Sequence, residues 1–263
     1  MDFGLADKTV LVLASSSGLG KAVAGEFLKE GASVVITGRD ADRLADASAE
    51  LEKVASRRPR HLPCDITKPE DITRLVAFAA EESGSVDVLV NNAGGPPAGT
   101  FEDFDDKTWM AAFELTLLSY VRAIREVLPL MKKKGWGRIV NSTSSSVREV
   151  LENLILSNTF RLGVIGLTKT LASELAPHGI LVNAIGPGRF DTERIRQLDM
   201  ALAKKKGLTF EEVSAESFSR IPLGRYGDPA EYGRLAVFLG SGANTYITGQ
   251  TIIADGGMLR AVP

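Results

Sequence analysis

Two rhythms of hydrophobic and polar positions alternate along this chain. Short runs that are apolar throughout and rich in β-branched residues are followed by stretches in which apolar residues return every three or four positions. The first run, residues 9–13, leads into a helical pattern over 18–29, apolar at Leu19, Val23, Phe27 and Leu28. A second run, 33–37, precedes a charged helix for which Asp40 is the expected N-cap. Residues 61–64 read as a third strand and 65–83 as a helix with Pro69 near its first turn. A fourth strand at 86–90 is followed by a long helix over 107–133. Strands at 138–141, 180–185 and 251–254 alternate with helices at 157–175 and 228–239, the last with Pro229 at its first position. Uniformly apolar strands alternating with helices specify an α/β fold, a doubly wound parallel sheet covered by helices on both faces. No repeat or break interrupts it, so residues 1–263 are expected to form a single domain. Residues 191–220 fit least well; charged and weakly periodic, they read as a lid over the carboxyl ends of the strands.

The chain is 44% hydrophobic and 24% charged with a net charge of -2. That balance fills a core and argues against a nucleic-acid surface, which is usually strongly basic. The basic runs at Lys132, Lys133 and Lys134 and at Lys204, Lys205 and Lys206 read as solvated helix faces. The single cysteine, Cys64, excludes an internal disulfide and reads as a small core side chain; with two histidines in the chain, a structural zinc site is not expected. No apolar stretch reaches the roughly 20 residues needed to cross a bilayer, and the first residues lack a basic segment followed by an apolar run. The expectation is a soluble cytoplasmic protein with no membrane, nucleic-acid or metal partner.

The first strand runs into Ala14-Ser15-Ser16-Ser17-Gly18-Leu19-Gly20. A glycine-rich turn between a strand and a helix aims free backbone N–H groups at a phosphate: Gly18 permits close approach, Gly20 lets the helix pack on the sheet, and the serines add hydroxyl donors. With Asn91-Asn92-Ala93-Gly94 after the fourth strand, Asp65 and Ile66 after the third, Pro187-Gly188 with Thr192, and Thr248-Gly249-Gln250 with Asp255-Gly256-Gly257, the chain resembles the short-chain dehydrogenase/reductase family over nearly its whole length. Within it, the chain looks most like a divergent 3-oxoacyl-(acyl carrier protein)-reductase-like branch. The resemblance implies a Rossmann-type fold and a nicotinamide dinucleotide. It assigns Asn92, Ala93 and Gly94 to the lining of the cofactor, Asp65 and Ile66 to the adenine, and Pro187, Gly188 and Thr192 to the nicotinamide carboxamide. It also implies a homodimer or homotetramer built through the helices at 107–133 and 157–175 and the C-terminal segment. The family's turn begins Thr-Gly where this chain has Leu13-Ala14; Ala14 fits without strain only if its φ stays negative.

The end of the second strand selects between the two nicotinamide cofactors. An acid there bonds the ribose 2′-hydroxyl, and an arginine accepts a 2′-phosphate. Thr37-Gly38-Arg39-Asp40 puts glycine where the acid would be and a guanidinium next to it. This favours NADP(H), while Asp40 turned toward the ribose keeps NAD(H) open.

The catalytic residues of the family are an Asn, a Ser, and a Tyr followed four positions later by a Lys. With the register fixed on Val164-Ile165-Gly166-Leu167-Thr168-Lys169, Ser157 stands at the Tyr position and Arg161 at the Lys position, on one helix face. Ser144 occupies the Ser position and Thr116 the Asn position, and no tyrosine lies between Tyr120 and Tyr226. A serine hydroxyl is a far weaker acid than a phenol, and an arginine does not relay a proton as a lysine can. Arg161 still offers a hydrogen bond to the ribose and positive charge beside a developing alkoxide. Three readings stay open: an oxidoreductase acting on a small carbonyl or hydroxyl compound by an altered proton route, with Glu149 and Glu152 as candidate relays; a dinucleotide-binding sensor or partner subunit with little turnover; or non-redox chemistry such as elimination or epimerisation.

Overall fold

The computed structural model describes residues 2–261. Its strands are β1 (Thr9–Val12), β2 (Ser33–Gly38), β3 (Arg60–Pro63), β4 (Val88–Asn91), β5 (Gly137–Ser142), β6 (Ile180–Pro187) and β7 (Thr251–Ala254). All neighbours pair in parallel, in the order β3-β2-β1-β4-β5-β6-β7. This is the expected Rossmann-type doubly wound sheet. The strand order reverses between β1 and β4, and loops leaving their carboxyl ends part there to open a crevice.

Side chains alternate across each strand, so every strand feeds both faces. Leu11, Leu89, Ile139 and Val182 pack on one face against Tyr120, Val127 and Met131. Val10, Val12, Ile36, Val88 and Val90 pack on the other against Phe27, Leu28 and Tyr232. Burial on both faces is why these strands are apolar throughout. Cys64, just past β3, is a buried free thiol whose pKa burial pushes up to about 12.

The helices are α1 (Gly18–Lys29), α2 (Ala41–Ala55), α3 (Pro69–Ala80), α4 (Asp106–Phe113), α5 (Ser119–Lys134), α6 (Ile155–Leu175), α7 (Glu193–Lys206), α8 (Phe210–Arg220) and α9 (Pro229–Leu239). Asp40 caps α2 by accepting from Arg43 N at 2.9 Å. The helix expected from residue 65 starts at Pro69 instead, because Asp65 folds back on Thr67 in a turn of its own. The long helix expected over 107–133 is α4 and α5 joined by one π-helical turn, Glu114–Leu118. Residues 191–220, weakly periodic in sequence and expected as a lid, form two regular helices. Thr192 caps α7, Gly207 ends it with φ 68°, and Thr209 with Glu212 makes a reciprocal capping box on α8. The period is weak because α7 buries only Asp199 and Ala203, too little to print a helical rhythm on the sequence. Among the described residues, no helix is long and apolar enough to cross a membrane.

Arg138 near the start of β5 is 5% exposed. Its three guanidinium nitrogens donate to the carbonyls of Gly137, Gly179, Ser241 and Asn244, and the group stacks on Trp136. Burial lowers its pKa to about 10. The side chain ties β5 to the segments that follow α6 and α9.

Candidate active site

The site begins where β1 turns into α1. Ser15 Oγ donates to Val12 O at 2.7 Å and accepts from Thr37 N at 2.9 Å, which locks the turn to β2. Asn92, beyond β4, donates from Nδ2 to the carbonyls of Leu13 and Ala14. Ala14 has φ 46°, so the condition for an unstrained alanine is not met and the position carries left-handed strain. A Cβ on Gly20 would lie 2.5 Å from Ala14 O and 2.7 Å from Asn92 Nδ2, so only glycine lets α1 approach this closely. Ser17 stands at the N-cap of α1 without a capping side-chain bond. The first-turn N–H groups therefore face outward as donors for an anion.

A cavity of about 590 Å³ runs from this turn along the carboxyl ends of the strands. Ser17, Gly18, Leu19 and Gly20 line one end, with Arg39 beyond them. Asn92, Ala93 and Gly94 line its middle, and Pro187, Gly188 and Thr192 close it from β6. Ser144, Ser157 and Arg161 meet at the other end. Arg39 has no hydrogen-bond or ion-pair partner among the described residues, whereas Asp40 is spent on its cap. Ser15 lies beneath the turn, and Ser16 packs against Gly38; neither lines the cavity. Asp65 and Ile66 stand outside the lining beyond β3. Burial alone would raise the Asp65 pKa; hydrogen bonds from Thr67 and the nearby Arg39 charge outweigh it and hold the carboxyl below its ordinary value.

Three further charged residues line the cavity and were not singled out from the sequence: Arg43, Glu193 and Arg194. Arg43 Nη2 and Glu193 Oε2 are 2.6 Å apart and bridge α2 to α7 across the mouth of the cavity. Arg43, one turn into a helix that follows Arg39, was open to reading; the other two lay in a segment whose helices were missed.

At the expected catalytic end, three candidates lie off the cavity lining. Thr116 falls in the π-helical turn, fully buried, and its hydroxyl donates to Ala112 O at 2.6 Å; it does not line the cavity. Glu149 and Glu152 are exposed and also lie off the lining. Ser144 accepts from Ser146 N at 3.1 Å, which fixes its oxygen at the cavity wall. Arg161 is 5% exposed. Its Nη1 donates to Ser142 O at 2.7 Å and to the Tyr120 hydroxyl at 3.1 Å, and its Nη2 to Ala93 O at 3.4 Å. Its Nε has no partner. Among the described residues no carboxylate bonds the group, so its positive charge stands on the cavity lining with Ser144 and Ser157.

Relatives carry this architecture. Residues 13–259 match the family described as Enoyl-(Acyl carrier protein) reductase. The chain is 34% identical to D-beta-hydroxybutyrate dehydrogenase of Rhizobium meliloti (strain 1021), over 95% of this chain and 98% of that one. It is 33% identical to the 3-oxoacyl-(acyl carrier protein) reductase FabG of Thermotoga maritima, over 97% and 99%. Its structure superposes on that of L-sorbose reductase from Gluconobacter frateurii complexed with NADPH and L-sorbose, with a TM-score of 0.94, 32% identity and full coverage of both chains. Sheet order, glycine turn and whole-length matches agree: the chain belongs to the short-chain dehydrogenase/reductase family.

Proposed function

We propose that this protein is an NADP(H)-dependent oxidoreductase interconverting a carbonyl and a hydroxyl on a small molecule, with an arginine-centred site in place of the usual phenol and ammonium. The observation that carries the reading is Arg161: a buried guanidinium, uncancelled by any acid, on the wall of the same cavity as Ser144 and Ser157. Burying a cation without a counter-ion is costly, and a site that accumulates negative charge during reaction repays that cost.

The glycine turn with Ser17 suits a pyrophosphate, and the partner-free Arg39 suits a 2′-phosphate, which favours NADP(H) over NAD(H). Ser15 and Ser16 support this turn from beneath. Asp65 and Ile66 flank the adenine end, and Pro187, Gly188 and Thr192 serve the nicotinamide end. The bound cofactor supplies or accepts the hydride. Ser144 holds the carbonyl oxygen by its hydroxyl, and Arg161 stabilises the alkoxide. Ser157, one helical turn from Arg161, passes the balancing proton from water. Thr116 shapes the π-helical turn and stays away from the substrate. Helices α7 and α8 act as the lid. The protein works in the cytoplasm, consistent with its lone free thiol. It works there as a homodimer or homotetramer, for which exposed Phe101, Met110 and Leu162 supply apolar contact.

The test is NADPH consumption on a panel of ketones and oxo acids. Reduction of at least one compound, lowered by Ser144→Ala and by Arg161→Ala with non-additive effects, is the expected result. NADPH binding by the folded chain with no turnover on the whole panel would replace this reading with that of a cofactor-binding protein.

A further inference from the structure

Tyr120 is not part of the family's catalytic spacing; it lies forty-one residues before Arg161 and on a different helix. It is nonetheless fully buried against the guanidinium. A buried phenol needs one partner, and Tyr120 has one in Ser142 O, to which it donates at 2.8 Å. Its oxygen then accepts from Arg161 Nη1. Ser142 O receives both groups, so phenol, guanidinium and the end of β5 form a closed triangle of hydrogen bonds. Building on the oxidoreductase reading, we propose that Tyr120 is a positioning residue of this site, clamping the Arg161 guanidinium inward so that its Nε–H is left for the ligand.

The valences support the assignment. Arg161 has five N–H bonds. Both on Nη1 are committed to Tyr120 and Ser142, and one on Nη2 to Ala93, which leaves the second on Nη2 and the one on Nε. Nε is buried and unpartnered on a residue that lines the cavity. An orphaned buried donor is costly and rare in native proteins, and here the residue that carries it lines a cavity. The clamp also leaves the charge intact. Burial raises the Tyr120 pKa, although the neighbouring Arg161 charge and hydrogen bond pull the other way, so the phenol stays neutral. A carboxylate in its place would hold Arg161 equally well but cancel the charge that an alkoxide needs. Tyr232 supplies an internal control: its hydroxyl donates to Ser142 Oγ at 2.8 Å, from the other side of the sheet, and does not bond Arg161.

The experiment compares Tyr120→Phe with Tyr232→Phe, each removing one oxygen. In ¹⁵N-labelled protein without cofactor, the Arg161 Nε–H resonance and its hydrogen-exchange rate report the clamp directly. Tyr120→Phe is expected to speed that exchange by about tenfold, the weight of one hydrogen bond to a charged group. It is also expected to lower kcat by about tenfold while KM and the NADPH Kd stay within about twofold. Added to Arg161→Ala, it should lower kcat no further. Tyr232→Phe should move neither exchange nor kcat. The proposal is overturned if Tyr120→Phe leaves Nε–H exchange unchanged, or if Tyr232→Phe changes it as much. Should the unmodified chain reduce no compound, the oxidoreductase reading fails on that result alone, and Nε–H exchange still decides whether the clamp exists.

Discussion

Two arginines sit near opposite ends of β5 and its packing, each 5% exposed and neither bonded to an acid, yet the protein treats them differently. Arg138 has every nitrogen engaged by a backbone carbonyl and lies away from the cavity. Arg161 has one nitrogen without a partner and lies on the cavity wall. The first is a staple; burial is repaid within the fold. The second is repaid in part by Tyr120, Ser142 and Ala93 and keeps one nitrogen unspent. Burial and charge alone do not separate the two; an unspent donor on a residue that lines a cavity does.

The largest expected effect tests the staple. Arg138→Ala takes this donor from the carbonyls of Gly137, Gly179, Ser241 and Asn244, three of them on buried residues, and is expected to lower stability by about 3–5 kcal/mol. At roughly 2–4 °C per kcal/mol for a chain of this size, the thermal midpoint falls by about 6–20 °C, read by calorimetry. Arg161→Ala should invert the pattern. Water from the cavity can reach the abandoned carbonyls, so melting moves less, while turnover falls by about 10²–10³-fold, about 2.7–4 kcal/mol in the barrier. If Arg161→Ala melts as low as Arg138→Ala and retains activity, the distinction collapses.

A third guanidinium sharpens the scale at the exposed end. Arg39 repays no burial, so Arg39→Ala should leave melting unchanged and act only on cofactor choice. NADPH is expected to bind about tenfold tighter than NADH, about 1.4 kcal/mol, and the substitution to erase that margin. Equal affinities in the unmodified chain would remove Arg39 from the site. The smallest test concerns no arginine. Ala14 sits at φ 46° in a turn whose donors are backbone. Ala14→Gly should raise stability by about 0.5–1 kcal/mol at unchanged NADPH affinity, checked by melting and titration. A weakened affinity would mean that the alanine methyl itself shapes the cavity.

The same contrast explains what the sequence disclosed. The end of the cavity at the glycine turn is made of backbone, and backbone requirements leave local marks: glycines at 18 and 20, the Asn92 that holds the turn, the Asp40 cap. Ser144, Ser157 and Arg161 were found because two lie one helical turn apart and the third at a countable distance. Tyr120 left no mark, since its partnership with Arg161 exists only across the packed helices. Thr116 was reached by counting along the chain, and a count does not show that its hydroxyl is spent on Ala112 O inside a turn of different pitch. Helices α7 and α8 escaped a search for apolar periodicity, although Thr209 with Glu212, and Gly207, had written their ends plainly.

That turn of different pitch takes up one residue. The five residues Glu114–Leu118 wind as a π-helix, one residue more per hydrogen-bonded ring than the helices on either side. The extra residue is absorbed within the turn, so α4 and α5 present the faces of one continuous rod. Each residue of an α-helix advances the face by about 100°. An extra residue not absorbed in this way would swing Tyr120, the second residue of α5, off the guanidinium it now touches, although its identity and helix were unchanged. The wide turn is therefore what lets this segment be one residue longer and still keep that contact.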